Sequence, residues 1–179
     1  METLEVRLAQ KGDRVVIKNM IELYLHDLSE YWDYDLDEHG QYGYMLDNYW
    51  GAPNHFAFVF LVEGRYAGFA LVDNAVSLPE NERWMGQFFV LRKYRRRGIG
   101  TRAAKVIFDT LPAKWEIGQV PANLPAQAFW RKMIQEYTNG QFSDSYLKDD
   151  SWDGPLQCFD NRFGLFSDAA QQSHCTPPT

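Results

Sequence analysis

The chain has 179 residues, 45% apolar and 16% aromatic, with a formal net charge of −6, a composition of a folded domain with a sizeable core and not of a disordered chain. No apolar run approaches the roughly 20 residues of a membrane-crossing helix, no secretory leader is expected at the Met1–Glu5 end, and an acidic chain is a poor candidate for sequence-independent nucleic-acid binding. Cys158 and Cys175 form no C-x-x-C pair and the four histidines are scattered, so neither a disulfide scaffold nor a metal is expected, and the setting is expected to be the reducing cytoplasm.

In chain order, Leu4, Val6 and Leu8 alternate with polar residues, the period of a half-buried strand. Lys11-Gly12-Asp13 breaks that pattern, and Asp13 is expected to cap a helix whose apolar stripe (Val16/Ile17, Met20/Ile21, Tyr24, Leu28) reaches about Tyr31. From His26 to Trp50 there is no Lys or Arg, while Asp33, Asp35, Asp37 and Glu38 are interleaved with Tyr34, Tyr42, Tyr44 and Tyr49. This stretch reads as a loop with a short helix near Tyr44 to Tyr49. Two readings stay open for it: a solvated acidic loop whose aromatics tuck into the core, or a pocket where ring faces and carboxylates hold a cationic amine.

His55 to Val62 and Tyr66 to Val72 are apolar on both faces, as in covered central strands, and Glu63-Gly64-Arg65 joins them as a hairpin. Asp73 to Glu82 is a loop, and Arg83 to Leu91 a further strand. It runs into Arg92-Lys93-Tyr94-Arg95-Arg96-Arg97-Gly98-Ile99-Gly100-Thr101, after which Ile99, Ala103, Val106, Ile107 and Leu111 recur at helical spacing until Pro112. Two glycines in a first helical turn suggest close approach of something to the backbone, and a bare helix start is an anion site. A nucleic-acid patch or a solvated surface turn would explain the same basic run. Lys114 to Val120 reads as the next strand, followed by a helix carrying Ala126, Phe129, Trp130 and Met133, and then by two last strands, Ile134 to Tyr146 and Leu156 to Phe159. The domain is expected to span residues 1–160, with 161–179 a flexible or loosely docked tail.

Arg95-Arg96-Arg97-Gly98-Ile99-Gly100 resembles the R/Q-x-x-G-x-G/A signature of the GNAT acetyltransferase superfamily, and Asn123, Ala126, Phe129 and Trp130 resemble its N-x-x-A-x-x-[apolar]-[aromatic] motif. The resemblance implies a single α+β domain: a mixed, mostly antiparallel sheet of about seven strands flanked by about four helices. It implies acetyl-coenzyme A as co-substrate, held by Phe89, Val90, Arg95, Arg96, Arg97, Gly98, Ile99, Gly100, Thr101 and Asn123, with the backbone N–H of Val90 as the oxyanion contact.

Relatives commonly carry a Glu base and a Tyr acid where this chain has Trp84 and Trp130. The expected base is therefore Glu38 or Asp35, or one acting through water, and the candidate acid is Tyr137. Asp33, Asp35 and Glu38 are the candidate acceptor-binding residues. The implied activity is N-acetylation of a small, cationic primary amine such as a polyamine, an amino sugar or an aminoglycoside-like compound. Protein acetylation, or an acetyl-coenzyme A binding module with little turnover, are the alternatives. No nucleic-acid or membrane partner is expected, and a homodimer stays open.

Overall fold

The alternating segment Leu4–Leu8 forms strand β1, which pairs antiparallel with β2 (Phe56–Val62). Strands β3 (Arg65–Asp73) and β4 (Arg83–Val90) extend this antiparallel sheet. Between β2 and β3, Glu63 and Gly64 both have positive φ (49° and 72°), the backbone of a tight two-residue hairpin whose twist matches that of the strands. β5 (Lys114–Gly118) lies parallel to β4, and β6 (Ser143–Lys148) and β7 (Asp153–Asp160) complete the order β1-β2-β3-β4-β5-β7-β6. This computed structural model describes residues 2–162, and the expected tail at 163–179, with Cys175, lies outside the described residues.

Both faces of the sheet are covered, which is why β2 and β3 read as unbroken apolar runs. Helix α1 (Arg14–Leu28) packs Ile17, Met20, Ile21 and Leu25 against Val59, Phe69, Leu71 and Phe89. On the other face, α2 (Ile99–Thr110) and α3 (Leu124–Tyr137) pack Ile107, Phe108, Trp130 and Met133 against Phe58, Val72, Trp115 and Ile117. None of the helices among the described residues is long and apolar enough to cross a membrane.

Four details differ from the sequence reading. A single 3-10 turn, Asp47–Trp50, stands where a short α-helix was expected, so three α-helices flank the sheet. Ile134 to Tyr137 form the last turn of α3, and the sixth strand begins only at Ser143. The apolar stripe of Trp130, Met133, Ile134 and Tyr137 is buried at helical spacing, and its last turn is indistinguishable from a strand start when taken alone. Asp13 makes no cap to α1; it is 3% exposed and accepts from Arg7 Nη1, Tyr66 Oη and the Gln10 amide, each at 2.6 Å. The Arg7 hydrogen bond outweighs burial and holds its carboxyl well below the usual carboxylate range. Asn161, assigned to the tail, is buried, and its side chain ties Ala113 N and Phe108 O to Tyr137 Oη.

Two irregularities shape the edge of β4. The β3–β4 register slips so that Leu71 faces Gln87 while Val72 faces Met85, leaving Gly86 as a bulged residue. β4 then pairs with β5 at only two positions, Arg83 with Trp115 and Trp84 with Glu116, before the strands part. Opposite the far end of β4, Gly68 pairs with Val90, and a Cβ on Gly68 would stand 2.1 Å from the Phe89 carbonyl oxygen. Backbone cannot yield there as a side chain would. Gly68→Ala is expected to lower the free energy of unfolding by about 3 kcal/mol, measured by urea denaturation; a loss below about 0.5 kcal/mol would show that β3 and β4 can separate freely at this point.

Candidate active site at the parting of β4 and β5

The Leu91 amide donates to the Ala67 carbonyl at 2.8 Å. In an antiparallel pair amides alternate in direction, so Phe89 and Gln87 point their N–H groups at β3, while Phe88 and Val90 point theirs into the gap that β5 has left. A cleft of about 240 Å³ opens there. Its walls are Tyr24, Trp32 and Tyr34 from α1 and the following loop, Trp84 to Phe88 from β4, Gly118 to Val120 after β5, Asn123 and Trp130 from α3, and Trp152. None of these described residues carries a charge. A second cavity, about 330 Å³, lies at the opposite end of β4 beside Arg83 and Ala113, remote from these amides.

The aromatic wall is built by glycines. A Cβ on Gly118 would lie 2.4 Å from the Trp84 ring and 2.8 Å from that of Trp152, and these two rings stand edge to face at 5.3 Å. Trp84 and Trp152 thus occupy the space beside the end of β5. Trp32 stacks on Tyr34 at 6.0 Å and approaches Trp152 at 6.4 Å. On the α3 side, Trp130 is 6% exposed, wedged edge-on against Phe88 and Phe129 with ring centroids 5.0 Å apart.

The glycine loop lies at the end of β4. Gly98 has φ 72° and nothing near its Cβ direction, so glycine is required by conformation; Gly100 instead lets the Phe129 ring approach, since its Cβ would lie 3.3 Å from that ring. The first intrahelical bond is from the Arg102 amide to the Gly98 carbonyl. The amides from Gly98 to Thr101 therefore have no helical acceptor, the kind of helix start that favours an anion.

Most of the arginines are already engaged. Arg92 and Arg95 both pair with Asp27, at 2.5 and 2.6 Å, and Arg97 pairs with Glu2. Burial of Asp27 acts against its ionisation, but the two guanidinium groups outweigh it and hold its carboxyl below the usual range. Arg95 also donates through Nε to the Val90 carbonyl at 2.7 Å and lies over the Phe89 ring. Arg96, with φ 60°, makes no ion pair among the described residues.

Of the sequence-predicted cofactor residues, Asn123 lines the cleft, Gly100 adjoins it through the Phe88 ring, 3.6 Å from a Cβ built on Gly100, and Val90, whose carbonyl holds Arg95, lies two positions beyond the lining residue Phe88 on β4. Asn123 accepts the Ala126 amide at 3.1 Å and caps α3, so it orders the turn beside the cleft. Phe89 stands apart, its ring buried under α1. Asp33, Asp35 and Glu38 are exposed, with the Glu38 side chain 87% so, and none lines the cleft. What their loop contributes to the wall is the rings of Trp32 and Tyr34, which stack on each other and stay 44% and 38% exposed.

Tyr137 is buried behind α3, donating to Asp109 at 2.8 Å, and burial pushes its phenol up. The structure does not bring it to the cleft. Trp152 and Gln87 line the cleft without having been singled out from sequence. Gly118 and Gly154, both crowded by Trp152, are the only sequence trace of its position.

The sequence profile of the acetyltransferase (GNAT) family matches residues 17–134. A search of curated proteins finds no match. Among solved structures, an acetyltransferase from Thermus thermophilus is 16% identical with a TM-score of 0.59, covering 89% of this chain and 99% of its own. The aminoglycoside acetyltransferase AAC(6')-Ib in complex with coenzyme A is 13% identical with a TM-score of 0.61, covering 89% and 96%. The ribosomal-protein-S18-alanine N-acetyltransferase from Escherichia coli is 12% identical with a TM-score of 0.52, covering 96% and 99%. At these identities the likeness is one of fold.

The loop geometry ranks its residues. Gly98→Val forces a β-branched residue into a left-handed conformation, at a cost of about 1–2 kcal/mol, and is expected to weaken coenzyme A binding at least ~10-fold in calorimetry. Arg96→Ala should weaken it more than Arg97→Ala, whose guanidinium is held by Glu2. Equal affinities in all three variants would remove this loop from the phosphate site.

Proposed function

This chain belongs to the acetyltransferase (GNAT) family, and on that footing we propose that it transfers the acetyl group of acetyl-coenzyme A to a primary amine of a small, cationic acceptor by direct attack on the thioester. The single observation that carries this reading is the uncharged, ring-walled cleft whose β4 wall reaches Phe88, on the edge from which β5 has parted and the Phe88 and Val90 amides face outward. In the proposed arrangement the pyrophosphate rests on the amides of Gly98 to Thr101, and the thioester arm runs past Asn123 between the parted strands. The Val90 N–H receives the carbonyl oxygen as it gains charge in the tetrahedral intermediate.

The acceptor enters from the α1 side, where the faces of Trp32, Tyr34 and Trp152 attract an ammonium group by their ring quadrupoles, each contact contributing about 0.5–2 kcal/mol. Asp33, Asp35 and Glu38 act from the surrounding surface through their field, drawing cations toward the cleft without contact. Phe88, Phe129 and Trp130 exclude water from the reacting carbonyl, which strengthens the hydrogen bond to it.

The direct test is release of free coenzyme A thiol from acetyl-coenzyme A in a panel of polyamines, amino sugars, amino acids and Lys-containing peptides. A small cationic amine is expected to give turnover. A response confined to the peptides would replace this reading with protein acetylation, and a silent panel with intact coenzyme A binding would leave a binding module.

Two sets of variants separate contact from field. Trp32→Ala is expected to raise KM for the acceptor about fivefold, the loss of about 1 kcal/mol, at unchanged coenzyme A affinity. Replacing Asp33, Asp35 and Glu38 by their amides should raise KM at low ionic strength and do so much less above physiological salt. A salt-independent effect would mean that these carboxylates touch the acceptor.

A further inference from the structure

The proposed transfer leaves a surplus proton on nitrogen and needs one on sulfur. Among the described residues lining the cleft, only Tyr24 and Tyr34 carry a side-chain proton that can be passed on; the Trp and amide N–H groups there donate hydrogen bonds without releasing their protons. We propose that the hydroxyl of Tyr24 carries the proton from the acceptor nitrogen to the departing sulfur; this rests on the acetyl-transfer reading above.

Tyr24 stands on the inward side of α1, one turn after the buried Met20 and Ile21, and forms part of the cleft wall. Its ring is edge-on to Phe69 with centroids 6.1 Å apart and tilted against Phe89 at 5.7 Å. It is thereby fixed on the β4 residue between Phe88 and Val90, the two whose amides face the gap left by β5. Unlike Ile21 and Leu25, which are buried outright, Tyr24 stays partly exposed, and its hydroxyl has no hydrogen-bond partner among the described residues. A phenol packed this closely ordinarily finds one: Tyr49, Tyr66 and Tyr137 each donate to an aspartate within 2.8 Å. Burial above all raises the Tyr24 phenol over its ordinary value, so it stays protonated and gives up its proton only as it receives another. Tyr34 is the competitor. It belongs to the loop after α1, is 38% exposed, and has its ring stacked on Trp32 and edge-on to Tyr42, away from the rings of β4.

In the step, the acceptor gives one ammonium proton to water on leaving solvent, and its lone pair forms the C–N bond at the thioester carbon. The carbonyl oxygen takes the displaced electron pair, and the nitrogen is left positive with two protons. Nitrogen and sulfur are now bonded to the same carbon, so a hydroxyl that touches one is within reach of the other. As the carbonyl re-forms, the C–S bond breaks with its electron pair going to sulfur. The Tyr24 proton moves to that sulfur while the Tyr24 oxygen takes a proton from nitrogen. The products are the amide and the free thiol, and Tyr24 is again the phenol it was at the start.

The test is Tyr24→Phe, which keeps the ring packing and removes an oxygen bonded to no other described residue. With the amine turned over fastest in the panel, kcat is expected to fall about 100-fold at unchanged melting temperature and unchanged calorimetric coenzyme A affinity, with a much smaller loss in Tyr34→Phe. Single-turnover acetylation by the wild-type protein should be slower in heavy water, and that isotope effect should shrink in Tyr24→Phe; a merely structural tyrosine would move neither. If Tyr24→Phe does not fold, the heavy-water comparison in the wild-type protein and the Tyr34→Phe result decide. An unchanged kcat in Tyr24→Phe, a loss in Tyr34→Phe of about 100-fold, or equal wild-type rates in the two solvents would overturn the proton carrier and leave the acetyltransferase reading standing. A wild-type protein that acetylates no amine at all would overturn both.

Discussion

Everything at the site follows from one strand pair that forms and then stops. β4 and β5 share two register positions and part, which leaves Phe88 and Val90 with amides directed at no strand. In an ordinary sheet such groups are a loss, since an unpaired buried amide forgoes the hydrogen bond it had in water. Here the loss is held in place from both sides. The Gly86 bulge bends β4, Arg95 closes the Val90 carbonyl, and the Trp84 and Trp152 rings fill the room beside Gly118. Because none of these supports is itself a hydrogen bond to the free amides, the opening is stable while the amides stay available.

The charge of the glycine loop is organised in the same manner. Five basic residues lie between Arg92 and Arg97, and as a bare cluster they would repel one another. Asp27 neutralises two of them and Glu2 a third. These ion pairs are exposed or half-exposed, so each contributes little to stability; their effect is to fix where the guanidinium groups are. With Arg95 turned back on Val90 and Phe89, the backbone of the αL residues Arg96 and Gly98 is presented outward. What the loop offers an anion is therefore directed amides, with Arg96 the guanidinium left without an ion pair among the described residues.

The elements whose physics is local were legible in the sequence, and so was the loop. Alternation gave β1, double-sided apolarity gave β2 and β3, and the spacing after Gly98 gave α2. The cleft wall was not legible, because it is made by contacts across the chain. Trp152 reaches Trp84 and Trp32 only after β7 has paired with β5. In the acidic loop Asp33, Asp35 and Glu38 carry the visible signal in sequence, while it is their neighbours Trp32 and Tyr34 that line the cleft. Similarly, Asp73 looks like a loop residue at the end of an apolar run, and only the fold brings it the Tyr49 hydroxyl from 24 positions away.

An amine acetyltransferase makes two opposed demands on an acid group. Holding the acceptor asks for a negative charge beside the ammonium, but such a charge raises the pKa of the amine and keeps the nucleophile protonated. At pH 7.4 a lysine-like amine is already only about one part in a thousand neutral, a penalty of roughly 4 kcal/mol, and a carboxylate in direct contact would enlarge it. A wall of rings resolves the conflict. It attracts the cation weakly through the ring faces, and its low polarity lowers the amine pKa as the group is desolvated. On this reading the absence of charge from the cleft lining is what makes the pocket reactive, and the wealth of acidic residues on the surrounding loop serves to bring the substrate there.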